Sequence, residues 1–215
     1  MKIRFLLVVI TCTFLTLSAH AEFQAGIGIR SVTPDPLLPI SGGTGKPAPA
    51  KDKRGELEVR ALVVQQGDTR AAIVSVPYIG FPRVLGDKVR AQVKSVAPLN
   101  ILIGATHTHS GPEMYAFPDG NGGTFADLEY IDWACKEIAA AIEDGVKALQ
   151  PASVKIAEDK ANGKIAYNYY APELYDPRMS VIQAITPDGK TIGTLVNYSI
   201  HPEVLGNGVG LVSPD

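Results

Sequence analysis

Hydrophobic and polar positions alternate over residues 57–66, where Leu57, Val59, Ala61 and Val63 share one side before the run becomes wholly apolar. A period of two predicts a strand. Gly67-Asp68 marks a turn and residues 70–76 form the returning strand, so a hairpin is expected. Residues 26–32 read as an earlier, first strand. Residues 82–97 change period: Val84 or Leu85, Val89, Val93 and Val96 fall on one helical face. Residues 99–105 are the most apolar segment after residue 21 and follow Pro98, which predicts a central buried strand. Thr124 with Asp127 forms a helix-start pair, and apolar steps of three and four run from Leu128 to about Leu149, before Pro151. Cys135 lies on that stripe and is expected to be a small buried hydrophobe. Three more strands are expected at 153–158, 179–186 and 191–200, the last two joined by a Pro187-Asp188-Gly189 turn. The order predicts an α/β chain, a mixed sheet packed by helices.

Two stretches lie outside this pattern. Residues 1–21 carry Lys2 and Arg4, an apolar run from Phe5 to Leu17, and Ala19-His20-Ala21. That arrangement predicts a secretory signal peptide cleaved after Ala21 and a secreted or periplasmic protein. The run is short for a membrane span, so no transmembrane segment is expected in the mature chain, residues 22–215. Residues 38–54 have no periodicity. Gly42, Gly43, Gly45, Pro47 and Pro49 mark a loop, made basic by Lys46, Lys51, Lys53 and Arg54, which reads as a substrate lip or a plain surface loop.

Composition narrows the function classes. The 215 residues are 46% hydrophobic and 20% charged, as in ordinary globular domains. Removing the leader lowers the 20 basic residues to 18 against 22 acidic ones. No concentrated basic surface for nucleic acid is in view. Of 2 cysteines only Cys135 would remain, so no internal disulfide is expected.

The chemistry concentrates in histidine. His107, His109 and His201 are the histidines that remain after the leader. The first two follow the apolar segment 99–105, and in an extended chain positions i and i+2 point the same way. His201 follows the strand 191–200 and precedes Pro202, which keeps it out of the helical region. Reactive groups of α/β enzymes gather at such strand ends. Neutral imidazole is a zinc ligand, and a catalytic zinc typically has three protein ligands and a water. A histidine at a strand end can also simply bond a loop carbonyl. Ser110 lacks a Gly-x-Ser-x-Gly surround and reads as a turn residue. Gly26-x-Gly28 lacks a third glycine and a following helix, which argues against a dinucleotide site. Tyr167, Tyr169, Tyr170 and Tyr175 line an apolar cleft or form a surface loop; both readings stand.

The run Ile103-Gly104-Ala105-Thr106-His107-Thr108-His109-Ser110-Gly111-Pro112 resembles the signature of the neutral/alkaline, non-lysosomal ceramidase family. Gly26-Ile27-Gly28-Ile29 with Val32-Thr33-Pro34, Arg60-Ala61-Leu62-Val63, Ala72-Ile73-Val74-Ser75 and Asn197-Tyr198-Ser199-Ile200-His201-Pro202 resemble other family segments in the same order. The resemblance implies a zinc amidase cleaving the N-acyl bond of a lipid-like substrate such as ceramide. It implies that His107 and His201 bind zinc and that His109 is the catalytic-site histidine contacting substrate.

Three departures accompany it. Pro77 stands where the family carries an acidic residue, and Tyr169 follows Asn168 where the family has arginine. The family's Gly-Asp-x-Ser-Pro-Asn serine motif and its Glu and Tyr zinc ligands would lie beyond Asp215. The chain is therefore expected to be an N-terminal portion of a ceramidase-like domain, inactive by itself. The alternative is a non-catalytic secreted protein that keeps the fold and binds metal or lipid.

Overall fold

The computed structural model describes residues 22–163, 165–166, 168–205 and 207–214. The expected leader and Tyr167 fall outside them. The elements run β1 (Gln24–Ser31), β2 (Ile40–Ser41), β3 (Asp52–Lys53), β4 (Glu58–Gln66), β5 (Thr69–Val76), α1 (Arg83–Arg90), β6 (Ile101–Ala105) and β7 (Gly111–Pro112). There follow α2 (Leu128–Lys147), β8 (Gln150–Pro151), β9 (Ser153–Lys160), β10 (Arg178–Ile185), β11 (Thr191–Tyr198) and β12 (Leu211–Val212).

Five strands form the main sheet in the order β6-β5-β4-β1-β8. The β4–β5 hairpin turns at Gly67-Asp68, with Gln66 opposite Thr69. β1 runs antiparallel to β4, and β6 runs parallel to β5. The sheet is therefore mixed, as the pattern of elements implied. α2 lies across β1 and β4, with α1 beside it. Val59, Ala61, Val63, Val74, Ile138 and Ile142 form the core between them. The Gly26-x-Gly28 pair belongs to this packing: a Cβ on Gly28 would stand 1.8 Å from the Ala141 carbonyl oxygen. β9, β10 and β11 form a separate antiparallel sheet in the order β11-β10-β9. It meets the opposite face of the main sheet through Ala184, Ile192, Leu62 and Ile27.

Three sequence expectations need correction. The segment 99–105 is not a central strand: β6 is at the edge of the sheet, with Leu99 and Leu102 exposed. An apolar run reads alike whether both faces are covered or only one. The helix expected to reach residue 97 stops at Arg90. Beyond it, Glu143 of α2 accepts the Lys94 and Ser95 backbone N–H groups and the Ser95 hydroxyl, replacing further helical turns. α2 starts later than expected, with Asp127 as its cap accepting the Tyr130 N–H at 2.8 Å. Thr124 instead accepts the Ala126 N–H.

The parallel pairing of β5 and β6 positions the chemistry. Val76 stands opposite Ala105, so residues 77–79 and 106–109 leave the sheet side by side. Thr106 N–H donates to the Val76 carbonyl and His107 N–H to the Tyr78 carbonyl, each at 3.0 Å. The two loops are thus stitched together beyond the last strand residues.

Candidate metal centre

His107, His109 and His201 meet at this end of the sheet. One ring nitrogen from each lies within 4.8 Å of those of the other two. The ring centroids are 4.9 Å apart for His107 and His109, 4.7 Å for His107 and His201, and 4.5 Å for His109 and His201. Residues 92 and 94 positions apart in sequence are thereby gathered in one cluster.

The local path differs from the extended strand end that alternation implied. β6 stops at Ala105 and His107 has φ of 70°, in the left-handed region. A side chain with a Cβ is strained there, and such strain gathers at functional sites. The kink sets the rings of His107 and His109 edge to face, at 89°, rather than in parallel. Their Nε2 atoms face each other at 3.3 Å.

Backbone carbonyls fix which nitrogen carries the proton. His107 Nδ1 lies 2.6 Å from the Ile79 carbonyl oxygen and His109 Nδ1 lies 2.9 Å from that of Gly42. A carbonyl only accepts, so each Nδ1 donates and each neutral ring presents a lone pair on Nε2. Two lone pairs facing at 3.3 Å repel unless a proton or a cation stands between them. The all-imidazole donor set fits a transition-metal ion.

The rest of the loop is held firmly. β2 pairs with β7, placing Ser41 opposite Gly111 and Gly42 against His109. The Thr108 hydroxyl donates to the Ser213 carbonyl at 2.9 Å and accepts the Ser110 N–H at 3.1 Å. Ser213 N–H donates to the Ser110 carbonyl. Ser110 is fully buried, and its hydroxyl has no hydrogen-bond partner among the described residues. Glu113, also buried, accepts the Tyr115 and Phe117 N–H groups and so caps the following loop. His109 is buried, His107 half-buried and His201 exposed, which leaves the cluster open on the His201 side. His201 lies beyond Tyr198, the last residue of β11, and β11 is an edge strand rather than an inner one.

Several groups at the site had no sequence signal. The Ile79 and Gly42 carbonyls are main-chain atoms, set by the fold alone. Glu203 faces His109 and His201, and its only signal is its place two residues after His201. A cleft of about 350 Å³ adjoins the cluster, lined by Arg60, Ser75, Pro77, Thr106, Ile200 and Pro202 among others. Pro77 thus stands in this cleft as an apolar wall. Tyr169, Tyr170 and Tyr175 do not line it: Tyr169 and Tyr170 stand 79% and 94% exposed on a surface turn closed by Asn168.

No family model matches the sequence. It is 23% identical over 151 residues to the neutral ceramidase of Pseudomonas aeruginosa, covering 60% of this chain and 22% of that protein. A structure described as ceramidase complexed with C2 superposes with a TM-score of 0.76 at 21% identity, covering 91% of this chain and 34% of that one. A crystal structure of neutral ceramidase from Pseudomonas aeruginosa gives 0.71 at 20% identity, with the same coverage. The chain spans about a third of the solved ceramidase chains and about a fifth of the curated relative. It therefore has the fold of part of neutral ceramidase and resembles that enzyme in sequence.

Proposed function

We propose that this chain carries part of the catalytic site of a zinc-dependent hydrolase of the neutral ceramidase type, acting on the N-acyl bond of a lipid-like amide. One observation carries the reading: the 3.3 Å approach of His107 Nε2 to His109 Nε2, each ring held from behind by a carbonyl. Two nitrogens about 2.0–2.1 Å from one tetrahedral ion stand about 3.3 Å apart. His201 supplies a third nitrogen on the open side.

When bound, zinc polarises a carbonyl and lowers the pKa of a coordinated water. The chain's own residues do the positioning. Ile79 and Gly42 carbonyls hold two imidazoles in the tautomer that presents Nε2. The loop 106–112 is tied down at Ser41 and Ser213, which fixes that arrangement. Thr106, Ile200 and Pro202, chain neighbours of His107 and His201, line the adjacent cleft, which this reading assigns to the substrate.

The family resemblance gives zinc to His107 and His201 and substrate contact to His109, whereas the geometry sets His109 as close to His107 as a ligand would be. Metal content and N-acyl hydrolysis measured on the whole protein with single alanine variants separate these roles. His107→Ala and His201→Ala are expected to lose metal and activity together, activity falling at least a hundredfold. His109→Ala losing activity but keeping metal assigns it to substrate; losing both makes it a ligand. Stoichiometric metal retained by His107→Ala would sink the proposal.

A further inference from the structure

Glu203 brings a carboxylate to the back of the histidine cluster. Its Oε1 lies 3.7 Å from His109 Nδ1 and its Oε2 lies 3.5 Å from His201 Nδ1. The two oxygens of one side chain therefore face two of the three imidazoles. In His109 this is the ring edge opposite the Nε2 that meets His107. A turn keeps Glu203 in place, with its N–H donating to the His201 carbonyl at 3.0 Å.

The histidines differ in how they are held. His107 and His109 each have a backbone carbonyl behind the ring. The His201 side chain is 58% exposed, on a loop beyond β11, and the Glu203 carboxylate is the group that faces its Nδ1. Pro202 restrains the His201 backbone but leaves its side-chain torsions free. A ring so placed needs a partner to select one rotamer and one tautomer.

We propose that Glu203 is a positioning residue of the metal centre: it takes the Nδ1–H of His201, and shares that of His109 with Gly42, so that both Nε2 atoms are turned to the ion. The inference rests on the metal reading above. Carboxylates behind ligating histidines fix ring orientation and make the coordinating nitrogen a stronger donor. At 3.5 and 3.7 Å the contacts are ion-pair distances, longer than direct hydrogen bonds.

Cobalt(II) and zinc titrations against a competing chelator test this on the wild-type protein, Glu203→Ala, Glu203→Gln and His107→Ala. Glu203→Ala is expected to weaken metal binding about 10- to 100-fold. Glu203→Gln should lose less, because its amide oxygen still accepts the Nδ1–H. The visible cobalt spectrum should shift in Glu203→Ala, while the metal-free melting temperature stays at the wild-type value. Wild-type affinity and an unchanged cobalt spectrum in Glu203→Ala, with binding abolished in His107→Ala, overturn the inference alone. A fall in affinity matched by a fall in metal-free stability also overturns it, since Glu203 would then be structural. A wild-type protein that binds neither ion overturns the metal reading and this inference together.

Discussion

His107 combines two demands that conflict in most side chains. Its ring must reach His109 and His201, and its backbone must sit at φ of 70°. A Cβ in the left-handed region costs about 1–2 kcal/mol, and glycine escapes that cost. His107→Gly and His107→Ala both remove the ring, so their difference isolates the backbone. His107→Gly is expected to be more stable by about 1 kcal/mol in urea denaturation. Equal stabilities would mean that the loop relaxes out of the kink once the imidazole is gone. The histidines themselves were legible in the sequence, because the His107-Thr108-His109 pair follows an apolar strand and leads into Ser-Gly-Pro, and His201 follows another and precedes Pro. The kink was not, since histidine is only mildly enriched at positive φ and no glycine marks the position. Glu203 stood in plain view beside His201, yet a carboxylate two residues from a histidine carries no direction until the turn at Pro202 is known.

At the scale of elements, alternation located the β4–β5 hairpin and the antiparallel strands β9 to β11 within a few residues, and the helical stripe located α2. These are signals of which face is covered. What decides the rest is contact between distant segments. The strand at 101–105 falls at a sheet edge, and beyond α1 Glu143 of another helix takes the Lys94 and Ser95 N–H groups where helical turns were expected. The Gly26-x-Gly28 pair also acquires meaning only in three dimensions. α2 comes so close to β1 that a Cβ on Gly28 would lie 1.8 Å from backbone oxygen, which no side-chain rotation relieves. Gly28→Ala is therefore expected to destabilise the fold by about 3 kcal/mol, the upper range for overpacking. Thermal or urea unfolding measures it. A loss below about 1 kcal/mol would show that α2 can slide away from the strand without penalty.

For the molecule as a whole, Cys135 offers a reporter of global unfolding. It is fully buried on α2, within the core that joins helix and sheet. Burial pushes its thiol up to about 11. Disulfide exchange needs a thiolate and access to it. At pH 8, well below 11, the folded protein withholds both, whereas the unfolded thiol returns towards its ordinary value and ionises appreciably. In protein starting at Glu22, labelling of Cys135 by Ellman's reagent at pH 8 is expected to rise with urea in parallel with loss of circular dichroism. Rapid stoichiometric labelling without denaturant would instead reveal that α2 detaches by itself.

The clamp between Thr108 and Ser213 also sets a schedule. The two residues are 105 positions apart, and Ser213 holds both the Thr108 hydroxyl and the Ser110 carbonyl. A ribosome adding about 5–20 residues per second needs roughly 5–20 s to travel that distance. During that interval His107 and His109 already exist, but the segment that fastens their loop does not. His201 is made near the end of the same interval. The histidine cluster consequently cannot be completed until well after the β4–β5 hairpin and α2 have all their residues. On the metal reading proposed above, an ion encountered earlier would meet a loop not yet fastened, and uptake would wait for the clamp at Ser213.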